Sequence, residues 1–403
     1  MAKPRPGFKL SGFAQVNYAV RVTGKSCSSS TACDLMLGDQ RLQLKVDGVT
    51  SDGVAAFTGR VDLFYDAVLG EPGLDAREVY AELNWPVLRV RAGRQIITWG
   101  VGDLLFINDI FPKDWVAFFT GRPLQYLKLG SDAIKIGVHP GPLDVELVAV
   151  PFFQSDGYPT GERLMVTSSM PDNVVGTTMD SRDRSFENIE VAGKISTYLA
   201  DWELSVYAAR TFFKTPAVEV AAQAGGVQLR YFFPRLDTFG ASATGGLLGG
   251  VLSVEGGYYF SEEDQQGIDP AIDNSQVRGL VGYAHPLWTG ATADVQGYVE
   301  VMLQHSKYVS VLPDGVPQQD AARAVGTLRF TQQLLHDALT MSLFAYVGAT
   351  DVDAYLIPSV RYALRDELWL ELGGNVFLKH KDHTFFGRLW KNSNVYLTTR
   401  YAF

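Results

Sequence analysis

From Gly7 onward the side chains alternate. Leu10, Ala14, Val16, Tyr18 and Val20 fall on one face, and Lys9, Ser11, Gln15, Asn17 and Arg21 on the other. A period of two predicts a long strand with one apolar and one polar face. The pattern recurs along the chain. Leu42 and Leu44 alternate with Arg41, Gln43 and Lys45, and Leu63 and Tyr65 with Asp62 and Asp66. Val295 and Val299 oppose Asp294, Gln296 and Glu300, and Leu397 and Tyr401 oppose Thr398 and Arg400. One stretch begins this way and then departs from it. Leu88, Val90 and Ala92 alternate with Arg89, Arg91 and Gly93, but after Trp99 the alternation ends. Gly100, Gly102, Asn108, Asp109 and Pro112 break any regular element. Leu104, Leu105, Phe106, Ile107, Ile110, Phe111, Trp115, Phe118 and Phe119 nevertheless make the segment too apolar for a solvated loop. It is expected to be buried against something.

Short turns punctuate the strands near residues 52, 86, 141, 200, 249, 288, 337 and 366, and are expected to alternate strictly with long loops. Eight hairpin turns on one rim, with both termini on that rim, predict about 18 antiparallel strands in a single transmembrane β-barrel spanning residues 1–403. Short turns would face the periplasm and long loops the exterior. The stretch 213–234 is ambiguous. Hydrocarbon cannot hydrogen-bond charged groups, and only a closed barrel leaves no unpaired backbone edge in lipid. The polar face is therefore expected to line a lumen. Trp85, Trp202, Tyr362, Tyr401 and Phe403 fall near the short-turn ends of outward faces, where an aromatic girdle belongs.

Composition agrees. Glycine (40), tyrosine (18) and phenylalanine (23) are abundant, only 20% of residues are charged, and no 18-residue apolar run exists to form a membrane helix. A net charge of −9 argues against a nucleic-acid partner, which would need a basic stripe. Met1 to Pro6 carries no hydrophobic signal core, which is read as a mature sequence given an initiator Met. Cys27 and Cys33, in a Ser/Thr-rich loop without a nearby histidine, suggest a small disulfide rather than a metal site.

The chain resembles Gram-negative outer-membrane porins. The ending Tyr401-Ala402-Phe403 is similar to the terminal aromatic signal by which such barrels are recognised for assembly, and Gly93-Arg94-Gln95 leads into an apolar loop similar to the one that folds into a porin lumen. The resemblance implies that the loop near residues 100–122 folds inward. Asp103, Asp109, Lys113 and Asp114 would then face a pore constriction opposite Arg89, Arg91 and Arg94, and the two sets would impose a transverse field. The same arginines could equally pair with Asp62, Glu78 and Glu82 on neighbouring strands.

Lumenal charges of both signs roughly balance, so weak cation preference is expected rather than an anion filter. Asp351 and Asp353, the run Glu262-Glu263-Asp264, and the pair His380 and His383 read as solvated loop charge, with no metal or other cofactor. No catalytic arrangement stands out. The expected function is a porin for passive diffusion of small hydrophilic solutes or ions, not an enzyme, embedded in outer-membrane lipid, with a homo-oligomer or a periplasmic partner possible. The alternative is a barrel that houses a partner such as a multihaem cytochrome, or that exports a polymer.

Overall fold

The computed structural model describes residues 7–23, 34–159, 161, 163–166 and 173–403. Cys27 and Cys33, and the disulfide expected between them, lie outside the described residues. In chain order the strands are β1 (Gly7–Arg21), β2 (Leu35–Val49), β3 (Ala55–Asp66), β4 (Glu71–Asn84), β5 (Leu88–Gln95), β6 (Ser131–Val138), β7 (Leu143–Val150), β8 (Val174–Asp180), β9 (Glu190–Leu199), β10 (Trp202–Phe212) and β11 (Ala217–Gln223). Next come β12 (Gly226–Phe232), β13 (Arg235–Leu247), β14 (Gly250–Ser261), β15 (Gln276–Trp288), β16 (Ala291–Met302), β17 (Ala322–Leu334), β18 (Leu339–Gly348), β19 (Asp353–Arg365), β20 (Leu368–Leu378) and β21 (Asn394–Ala402).

Eighteen of these make one sheet of antiparallel neighbours. It closes where β1 meets β21, in register from Phe13 opposite Ala402 to Arg21 opposite Asn394. β8, β11 and β12 form a separate three-stranded sheet in which β8 and β12 run parallel. The ambiguous stretch 213–234 thus supplies a hairpin that pairs outside the barrel wall.

Alternation sets the two faces. Val16, Val20, Leu42, Leu44, Leu63, Val206, Val281, Val295, Val299 and Leu397 are exposed, whereas Gln15, Asn17, Arg41, Gln43, Asp62, Glu255, Gln296 and Thr398 are buried inside. A closed sheet with an apolar exterior and a polar interior is the arrangement a bilayer requires, because neighbouring strands pair the wall's N–H and C=O groups without leaving an open edge. Trp85, Tyr362, Tyr401 and Phe403 are exposed near the short-turn rim.

All eight predicted short turns are present, and four of them are two-residue links, at 200–201, 248–249, 289–290 and 366–367. The strict alternation with long loops does not hold. The links β3–β4 (67–70) and β18–β19 (349–352) are tight turns on the opposite rim. In the second of these, Val352 donates to the Gly348 carbonyl (2.9 Å) and Asp351 pairs with Arg323 (2.9 Å). Asp353 accepts the Phe386 N–H at 2.8 Å, so both acidic side chains of this turn are engaged in holding the rim together.

Part of the inner wall is aromatic rather than polar. Phe344 and Tyr346 on β18, Tyr355 on β19 and Phe377 on β20 are buried inside, with Tyr355 stacked on Phe377 at 4.5 Å and on Tyr346 at 5.9 Å. Polar lining is unnecessary there because protein, not water, fills the space. The segment between β5 and β6 packs against it.

Candidate functional site: a segment folded inside the barrel

Residues 96–130 leave the wall after β5 and return at β6. Gly93, near the end of β5, has φ +123°, and a Cβ there would strike the Val79 carbonyl of the paired strand β4, so a side chain would not fit. Ile97, Trp99 and Phe111 then pack inward on Ala133, Val148, Val150 and Tyr207, with Trp99 edge-on to Phe111 at 5.2 Å. This anchors the segment to the β6, β7 and β10 side.

The outward limb of the segment is bound by one carboxylate. Glu255, on the inner face of β14 and 2% exposed, accepts the N–H groups of Val101 (2.8 Å) and Gly102 (3.0 Å) on one oxygen. The other oxygen takes the Asn108 N–H (2.8 Å) and its side-chain amide (2.9 Å). Three backbone N–H groups and one side-chain amide of an irregular segment are thereby satisfied by a single carboxylate. Small wall residues permit the approach. A Cβ on Gly240 would overlap the Asn108 side chain, and one on Gly257 would meet Ile107 Cγ2 at 2.6 Å. Beyond Glu255, Asp103 pairs with Arg329 on β17 (Nη2 to Oδ1, 2.8 Å). Tyr346 donates to the Leu104 carbonyl at 2.8 Å, and Tyr259 donates to the Ile107 carbonyl.

The return limb holds itself. The Lys113 amine is buried and donates to the carbonyls of Asp109 and Phe111, both at 2.7 Å, while the Asp109 carboxylate takes Lys128 at 2.7 Å. Asp156, from the loop after β7, accepts the Lys113 N–H and the Trp115 indole, each at 2.8 Å. Burial pushes the Lys113 amine below its ordinary range and the Asp156 carboxyl above its own. A short helix, α1 (Trp115–Thr120), follows. Asp114 caps it by accepting the Ala117 N–H at 2.8 Å, and Gly121 ends it at φ +85°. Burial also raises the Asp114 carboxyl, against the opposing pull of Arg122.

The exposed carbonyls of α1 are then taken by the far wall. Tyr355 donates to Phe118 (3.3 Å), Asn394 to Phe119 (3.1 Å) and Asn17 to Gly121 (3.0 Å). Arg77 on β4 donates to the carbonyls of Gln125 (2.7 Å) and Lys128 (2.8 Å). The segment is therefore bonded to β1, β4, β14, β17, β18, β19 and β21, strands distributed around the barrel. It crosses the interior.

The seven residues expected at a constriction are not brought together. Arg89 donates to Asn84 (2.9 Å), Arg91 to Glu82 (2.7 Å) and Arg94 to Asp132 (2.9 Å), each a cross-strand neighbour or a hairpin partner. Asp109, Lys113 and Asp114 are turned into the segment itself. Asp103 alone meets a charge on the opposite wall. Tyr401 faces outward, and the Phe403 backbone exchanges hydrogen bonds with Gly12, both at 2.9 Å, which seats the terminal aromatic on β1. Sequence reasoning did not single out Glu255, Arg329, Asn108, Tyr346 or Tyr355. Tyr346 carried a legible signal, since β18 is apolar at both parities, the mark of a strand covered on both sides. Among the described residues no group of three His, Cys, Asp or Glu side chains converges as a metal site.

No protein-family model matches the chain, and no curated protein matches it. Solved structures do. The chain is similar to OccD3 (OpdP) of Pseudomonas aeruginosa (TM-score 0.59, 10% identity, covering 100% of this chain and 93% of that one). It is similar also to OccK2 (OpdF) of the same organism in complex with glucuronate (0.57, 11%, 98% and 97%), and to OccAB3 of Acinetobacter baumannii (0.55, 11%, 98% and 99%). At such identity the likeness concerns the fold. The chain has the closed 18-stranded architecture of Gram-negative outer-membrane porins, which are channels.

Proposed function

We propose that residues 1–403 act as one outer-membrane barrel domain, a porin that passes small hydrophilic solutes or ions by passive diffusion through a lumen narrowed by residues 96–130. The observation that carries this reading is the bonding of that segment to strands around the interior, through Glu255, Arg329, Tyr355, Asn394 and Arg77. A water-filled barrel of 18 strands would pass solutes with little selection. A diaphragm fixed by hydrogen bonds sets a cutoff. The OccK2 structure contains glucuronate, a small polar solute, and the same class of cargo suits a lumen lined by paired charges such as Arg91–Glu82 and Arg361–Glu371.

Tyr401 and Phe403 are the proposed assembly signal, and Asp103 with Arg329 is the proposed charged contact at the constriction. A sheath around a partner protein would need the barrel interior empty, and residues 96–130 take up that space. Liposomes containing the barrel test the reading. Swelling in isosmotic small solutes, falling off with solute size, is expected, and impermeable liposomes would refute it.

A further inference from the structure

On the long-loop side of the inward segment lies a cavity of about 560 Å³, within the roughly 300–1,000 Å³ typical of small-molecule sites. Its floor is apolar. Leu104, Leu105, Phe106 and Trp115 are only partly buried, and Phe106 meets Trp115 edge-on at 6.0 Å. Phe385, from the loop between β20 and β21, adds a further half-buried ring. The walls are charged but compensated. Arg278 lies 3.2 Å from Glu300 and Arg323 2.9 Å from Asp351, while Arg388 and Lys381 share the lining with Asp273 and Asp320.

We infer that this cavity binds solutes that carry an apolar ring and no net charge. The inference rests on the porin reading, since a solute enters the cavity by way of the lumen. Two physical facts select the class. A half-exposed aromatic floor is a poor surface for water, and a ring laid on it removes apolar area from solvent on both partners. Walls whose charges cancel offer no surplus field to hold an ion, whereas a charged solute must give up its own hydration over an apolar floor. A ring with a zwitterionic or hydroxylic edge meets both conditions, since its polar groups reach the ion pairs while its face covers Phe106 and Trp115.

Isothermal titration of the detergent-solubilised barrel with L-phenylalanine, glycine, benzoate and benzylammonium tests this. Phenylalanine should bind, with glycine at least about tenfold weaker for want of the ring, and both charged rings weaker than phenylalanine. The Phe106→Ser variant should lose most of that preference for phenylalanine over glycine. Benzoate or benzylammonium binding as tightly as phenylalanine would overturn the inference in favour of a charge-selective site. Conductance of the same preparation in planar bilayers keeps the two readings apart. A barrel that conducts but binds phenylalanine no better than glycine removes the site alone. One that binds phenylalanine but never conducts keeps the site and removes the porin reading.

Discussion

Glu255 and Asn108 stand 147 positions apart in the chain, yet one carboxylate oxygen accepts both the backbone N–H and the side-chain amide of Asn108, at 2.8 and 2.9 Å. The other oxygen holds Val101 and Gly102. The pair converts an irregular loop into a fixed part of the barrel interior. Replacing Glu255 with Ala orphans three backbone N–H donors, each costing about 1–3 kcal/mol when buried, and leaves the Asn108 amide with the Gly256 carbonyl at 3.2 Å. The outward limb should detach while the sheet persists. Limited proteolysis should show new cleavage between residues 96 and 108, with heat-modifiable migration of the barrel unchanged. Glu255→Gln keeps one acceptor oxygen and should fall between the two.

Gly240 supplies the space in which Asn108 sits, so Gly240→Val should reproduce the Glu255→Ala phenotype by steric means. Gly279 is the control. Its nearest would-be neighbour is Val299 Cγ1 at 3.7 Å, and Gly279→Ala should leave proteolysis and migration as in the parent protein.

Asp103 and Arg329 neutralise one another, with Asp294 on the adjacent strand β16 opposite Arg329. Arg329→Ala leaves two carboxylates uncompensated and should move the reversal potential in a KCl gradient toward cation selectivity. Asp103→Asn should move it toward anions. The exchanged pair Asp103→Arg with Arg329→Asp should return it close to the parent value.

Asp156 gives a pH dependence with a definite sign. Its folded-state pKa is raised by burial, so between its ordinary value near 3.9 and the raised one the folded barrel holds more protons than the unfolded chain. Stability contributed through this group is therefore greatest at low pH and lost as pH rises through the folded pKa. Asp156→Asn fixes the neutral form. The melting temperature of the parent protein minus that of the variant should increase as pH is lowered from about 7 toward about 4. A flat difference would mean that Asp156 does not titrate in the folded state within that range.

The wall was legible in the sequence because lipid on one side and polar groups on the other impose a strict period of two, and all eight hairpin turns stand where Gly, Pro and Asp punctuate that period. The inward course of residues 100–122 could also be read, since Phe111, Phe118 and Phe119 are too apolar for solvent. Their bonding partners could not. Glu255 looks like any other lumenal carboxylate until the fold brings Asn108 to it across the barrel, and local pattern carries no record of a contact at that separation. Asp109, Lys113 and Asp114 have the composition of a constriction, but a segment that crosses a barrel must first satisfy its own backbone, and these three residues serve that need.

Single-channel conductance in planar bilayers, comparing the parent barrel with a variant lacking residues 101–117, tests the central claim most directly. The account predicts stepwise ohmic openings in the parent protein and a several-fold larger, less selective conductance in the variant. A parent barrel that never conducts, or a deletion that leaves conductance unchanged, would contradict it.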